Sequence, residues 1–104
     1  MEAITKEQLK QNLKEIDDYY RLKRTQALAQ YARSNDPVQD NDIITDHIGS
    51  IKVHARKVCY EYNNASMCYH GVRLKKDGTP FKSGEFTWVY QSNIESINGV
   101  LISN

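Results

Sequence analysis

Long apolar runs are missing from this chain of 104 residues. Nothing approaches the roughly 18 to 20 consecutive apolar residues that cross a bilayer. The order Met1-Glu2-Ala3-Ile4-Thr5-Lys6 also lacks the basic-then-apolar sequence of a signal peptide, so the expectation is a soluble protein with no membrane partner, placed in the cytoplasm. Cysteine is scarce. Two residues are too few for a disulfide scaffold, and a reducing compartment would keep them as thiols. An excess of one charge is lacking too: 14 Lys and Arg face 13 Asp and Glu, a net +1, which removes the simplest electrostatic argument for nucleic acid. There is no Gly-x-Gly-x-x-Gly, no P-loop and no His-Glu-x-x-His. Asp46, His47 and His54 can be drawn with Ser50 or a cysteine, but any chain with three histidines permits such drawings, and no enzyme, small-molecule substrate or cofactor is expected.

What is present is a folding composition, 26% charged with seven Tyr, two Phe and one Trp, and no repeat or low-complexity tract. The length allows one compact module and little more. A helix start is well marked: Thr5 can cap, Gln8 completes a capping box, and Ile4 and Leu9 occupy the positions of a hydrophobic staple. Leu9, Leu13, Ile16, Tyr20, Ala27 and Tyr31 then draw one apolar stripe at helical spacing. A helix from about Lys6 to about Arg33 would be some ~40 Å long, longer than a small β module covers. The stripe either folds back on its own module, with the excess solvated, or meets a second copy or another protein. Leu9, Leu13, Ile16 and Tyr20 fall at a/d spacing, which Lys23 and Gln30 then interrupt. Ser34-Asn35-Asp36-Pro37 ends the helix. The chain divides into a helix over residues 1–35, a linker over 36–42 and a β module over 43–104.

Beyond Ile43 the period becomes two. Ile51, Val53 and Ala55 alternate with polar residues, as do Val58, Tyr60 and Tyr62, and Asn63-Asn64 reads as a two-residue turn. That register opposes Tyr62 to Ala65, Tyr60 to Met67 and Val58 to Tyr69. It also sets Cys59 opposite Cys68, where a disulfide is geometrically possible. With Glu61 and His70 on the same face the pair could hold zinc, but Cys-x8-Cys-x-His lacks the short-spaced ligand pairs of zinc sites, so structural thiols and no metal are expected. A third strand runs through Val72 and Leu74. A loop rich in turn signals follows, then a fourth strand over Phe86, Trp88 and Tyr90, a helical turn near Ser92–Ile97 and a last strand at Val100-Leu101-Ile102. The fold class is α+β: a long N-terminal helix and a five-stranded antiparallel module, SH3-like or OB-like and partly closed.

Counted by segment, residues 1–42 carry net −1 and residues 47–82 carry net +5. Lys52, Arg56, Lys57, Arg73, Lys75, Lys76 and Lys82, interleaved with aromatics, are the candidate contacts to nucleic acid. The alternative for the rings is that they are core. Leu9, Leu13, Ile16, Tyr20 and the loop residue Phe81 are the candidate protein-binding residues. The small size, single module and abundance of Tyr, Asn and Lys resemble the style of bacteriophage accessory proteins, which implies host cytoplasm or virion as the setting. The leading expectation is a non-enzymatic adaptor, inhibitor or assembly component in which the helix supplies a protein-binding or self-associating surface and the β module a second protein-binding surface. The second is a nucleic-acid-binding module.

Overall fold

The computed structural model describes residues 3–82 and 84–102. Its first element is α1, Lys6–Ser34, and both halves of the capping box form: the Gln8 backbone N–H donates to the Thr5 hydroxyl, and the Thr5 N–H donates to the Gln8 side chain. A six-stranded antiparallel sheet follows, built from β1 (Ile43–Thr45), β2 (Ser50–Glu61), β3 (Asn64–Leu74), β4 (Phe86–Tyr90), β5 (Ser96–Ile97) and β6 (Val100–Leu101). A single 3-10 turn, Gln91–Asn93, links β4 to β5. The chain is therefore α+β, as expected.

The barrel is not. The strand order is β4-β3-β2-β1-β5-β6, and the two outer strands do not pair with each other, so the sheet is open. Two of the six strands, β1 and β5, are short segments that pair with one another in the middle of the order, and Ser96–Ile97 is a strand where the sequence predicts a helical turn through Ile97. Asn98 and Gly99 take positive φ in the turn between β5 and β6, the conformation these residue types tolerate best.

The central hairpin turns at Tyr62-Asn63, not Asn63-Asn64, with Asn63 at φ 57°. The pairs become Tyr60–Ala65, Val58–Met67 and Arg56–Tyr69. A shift of this kind leaves every side chain on its expected face. A second irregularity has more consequence: the register slips between Val53 and Ala55, a β-bulge at His54. It joins the odd-numbered apolar run Ile51, Val53 to the even-numbered run Val58, Tyr60 in one strand, where the sequence reads as two. Opposite the bulge sits Gly71, and a Cβ there would lie 1.9 Å from the Lys52 carbonyl oxygen. Only glycine permits this approach of two backbones.

One sheet face carries the core: Ile51, Val53, Ala65, Met67, Tyr69 and Val89, joined by Val38, Ile44, Ile94 and Ala32 of α1. The segment after the helix is fastened to this face by charge. The Asp36 carboxylate accepts from the Tyr69 hydroxyl (2.5 Å), the Val38 N–H (2.9 Å) and Arg56 Nη1 (3.1 Å), while Arg56 also donates to the Val38 carbonyl and to Asp40. Burial and the neighbouring Asp36 carboxylate together push the Tyr69 hydroxyl far above its ordinary pKa, so it remains a donor. At the other end of the sheet, Arg73 donates two hydrogen bonds to the buried Asp46, which also accepts from the Ile48 and Gly49 N–H groups.

Two outcomes follow. Gly71→Ala should destabilise the fold by about 1–3 kcal/mol or more through overpacking at the bulge, read from urea unfolding. Burial alone would raise the Asp46 carboxyl, but the hydrogen bonds from Arg73, Gly49 and Ile48 and the Arg73 charge outweigh it and lower the pKa from 3.8 to about 2. Since the folded-state value is the lower one, this stabilisation is present above about pH 4 and is lost as the pH falls through about 2. Unfolding measured across that window should lose about 2 kcal/mol from this group, and Asp46→Asn should remove that part of the acid dependence.

Candidate interaction surfaces

The helix leaves the sheet early. Every residue from Ala3 to Ala27 is exposed, and Leu28, Ala29 and Ala32 alone on α1 are half-buried or buried. Arg24 is the outermost anchor: its guanidinium donates to Asn63 at the hairpin tip and lies 5.3 Å from the Tyr62 ring centroid. Residues 6–23 project past that tip for on the order of 27 Å at 1.5 Å per residue, and the longest dimension of the molecule is 75 Å.

At about 100° per residue, the docked residues Leu28, Ala29 and Ala32 lie about 130° around the helix from the stripe of Leu9, Leu13, Ile16, Tyr20, Ala27 and Tyr31. The sheet is met by the small-residue face. The stripe is exposed along its whole length; beside the docked residues Tyr31, which lines a shallow groove with Ala32, Asn64 and Ala65, is still 57% exposed. Leu9, Leu13, Ile16 and Tyr20 are all at least half exposed. The helix does dock on its own module with the excess exposed, as in the first of the two expected arrangements, but through Leu28, Ala29 and Ala32 instead of the stripe.

The second surface is the uncovered face of the sheet. On β4 the side chains of Phe86, Trp88 and Tyr90 stand on this face while Val89 between them is buried. Across the ladder, His70 pairs with Trp88, and its ring stacks on Trp88 at 4.3 Å and on Phe86 at 4.9 Å between centroids. Lys57 Nζ sits 4.4 Å above the Trp88 ring, and His54 packs against Phe86 at 5.6 Å. The rings expected as possible core are therefore divided: Tyr69 is fully buried, and the β4 trio is half exposed.

Cys59 and Cys68 belong to this face and are joined as a disulfide, Cα atoms 6.2 Å apart. The expectation of thiols is corrected here. The register makes them diagonal neighbours, Cys59 opposite Ser66 and Cys68 opposite Lys57, a placement within the Cα range of disulfides. A bonded pair offers no thiolate to a metal.

The seven basic candidates do not share a surface. Lys52 and Lys57 lie on the open face, Arg56 is held by Asp36 and Asp40 on the covered face, and Arg73 is held by Asp46. Lys75, Lys76 and Lys82 belong to the β3–β4 loop with Phe81, which is 48% exposed and lines a shallow groove with Ile48 and Leu74. Phe81 is at the far end of β3 from the hairpin tip, about a strand length of ~35 Å from the start of the helical arm, so it cannot act with Leu9, Leu13, Ile16 and Tyr20 as one patch. The sequence signal for the open face was available in parity: Phe86, Trp88 and Tyr90 align with His70 and Cys68, whereas Val89 aligns with Tyr69.

Native protein should show no titratable thiol, and reduction should lower stability by roughly 2–3 kcal/mol for a loop of this size. Thiol titration and urea unfolding with and without reductant check both. Compared with protein-family models, with curated proteins and with solved structures, the chain matches none.

Proposed function

We propose that this is a non-enzymatic interaction protein in which α1 is a projecting arm that binds a helix of another protein. One observation carries the reading: the apolar stripe stays at least half exposed over Leu9, Leu13, Ile16 and Tyr20, on a helix that docks only through Leu28, Ala29 and Ala32. A stripe of Leu9, Leu13, Ile16 and Tyr20 at a/d spacing is shaped for a facing helix, whose knobs it would receive. Self-pairing is the weaker option. A parallel pair sets Lys23 against Lys23, and the antiparallel register that matches the four apolar residues sets Lys23 against Lys6, so either places like charges in the seam. A different partner can answer Lys23 with a carboxylate and extend the contact toward Ala27.

In this reading the β module and the segment over 36–42 hold the arm at a fixed angle, and no residue acts as a catalyst. The Cys59–Cys68 bond fits an oxidising setting such as a virion better than a reducing cytoplasm.

The test is affinity capture from the source extract, with nuclease, by wild type and by the double variant Leu13→Asp, Ile16→Asp. Both positions are exposed, so the variant should keep its fold to within about 0.5 kcal/mol, verified by thermal melting. A nuclease-resistant protein retained by wild type should be lost at least about tenfold by the variant. Equal recovery by both chains would overturn the assignment to the stripe, and a concentration-dependent dimer in sedimentation would transfer it to self-association.

A further inference from the structure

We infer that the open sheet face is a second, separate site, which takes single-stranded nucleic acid by laying bases on Tyr90 and against the exposed parts of Phe86 and Trp88, whose rings already pack with His70, His54 and Lys57. It goes beyond the binding assigned to the helical arm. Three rings at alternate positions of one strand follow one another at roughly 6–7 Å, each 43–55% exposed with its neighbour between them turned into the core. The His70 ring fills the space between Phe86 and Trp88, so the row forms one continuous aromatic surface against which planar groups can lie. Burying it against a smooth apolar surface would use the ring area but would strand the cation held above its centre.

That cation chooses the ligand. Lys57 lies over Trp88, and Lys52 stands further along the same strand and the same face. The imidazole of His70 stacks in the row itself, and His54 closes its Phe86 side. Lys75 and Lys76 follow directly after β3, at the end of the face where Phe86 lies, while Phe86 pairs with Val72. Among the described residues no carboxylate stands between the rings. Glu61 is at the hairpin tip and Asp77 and Glu85 are in the loop, beyond either end of the row. An aromatic surface with one ammonium group at its centre and others at its end, too flat to enclose a small molecule, suits the bases and phosphates of a single strand. A duplex, which hides its base faces, offers nothing to stack. The site is not the one drawn from the sequence charges: Arg56 and Arg73 are occupied by carboxylates and belong to the fold, and the rings do the recognising.

The experiment uses the protein's single tryptophan, which is Trp88 itself. Unlabelled oligo(dT) and oligo(rU) are titrated at low salt while Trp88 emission is followed, with a duplex and with heparin as a polyanion without bases. Stacking should quench the emission with the single strands, and binding should weaken steeply as salt rises. Discrimination between dT and rU tells DNA from RNA, and quenching by either supports the site. Phe86→Ala and Tyr90→Ala, both at half-exposed positions, should each weaken binding roughly five- to hundredfold, and Lys57→Ala should reduce the salt dependence. Leu13→Asp, Ile16→Asp should bind as wild type, which separates failure here from failure of the arm. The inference is overturned if neither single strand quenches Trp88, if heparin or duplex binds as tightly, or if Phe86→Ala and Tyr90→Ala bind unchanged. A protein captured by wild type and lost in these two variants, without quenching by oligonucleotides, would also overturn it.

Discussion

The Asp36 carboxylate is the constraint from which the rest of the architecture follows. It lies just past the helix terminus and receives the Tyr69 hydroxyl and the Arg56 guanidinium, both from the middle of the sheet. A charged acceptor with a buried phenol and an arginine as donors is a strong tether, because each hydrogen bond to a charged group is worth about 1.5–3 kcal/mol. Arg56 extends it to Asp40 and the Val38 carbonyl, so the whole turn after α1 is drawn onto the core and Val38 is fully buried. The chain reverses there in a fixed direction. The helix then has no choice of which face meets the sheet: Ala32 and Ala29, one and two turns before the tether, go inward, and the Leu9-to-Tyr31 stripe goes outward.

A second constraint is the bulge at His54. Strand β2 is long enough to serve two ends of the molecule, with Ile51 and Val53 packing against Ile44 at one end and Val58 packing toward the helix at the other. Those residues have opposite parity, so an unbroken pleat would turn one set to solvent. The bulge corrects the phase, and its geometric requirement is met by Gly71, over which the Lys52 carbonyl passes too closely for any side chain. The same correction decides the other side of the sheet. With parity restored, Lys52, Lys57 and Cys59 share the face with His70 and the β4 rings.

Much of this was legible in the residues and some was not, for reasons that can be named. The helix start was readable because Thr5 and Gln8 act on each other within one turn. Face membership in the β2–β3 hairpin was readable because it depends on parity alone and survived an error in the turn. The open sheet in place of a barrel was not, since it rests on pairing between Ile43–Thr45 and Ser96–Ile97, segments of two or three residues far apart in sequence and too short to show a period. The bulge left a trace, the change from odd to even apolar positions between Val53 and Val58, which reads equally well as two strands. The fate of Arg56 and Arg73 was hidden for a further reason: a guanidinium looks the same in sequence whether it meets a phosphate or an aspartate folded back from 16 to 27 residues away.

Those two arginines also change what the segment charge means. The +5 of residues 47–82 counts Arg56 and Arg73, yet both are answered by Asp36, Asp40 and Asp46, which lie outside that segment. Among the described residues of this segment, the basic side chains outside these ion pairs are lysines, and they divide between the open face and the loop at its end. Neutralisation on the covered side and residual positive charge on the other give the sheet a polarity that neither the net charge nor the segment count contains. The helix is docked on the neutralised side and the rings stand on the basic side. If both proposals hold, the arm and the rings offer separate surfaces on the two sides of the core, so filling one need not block the other.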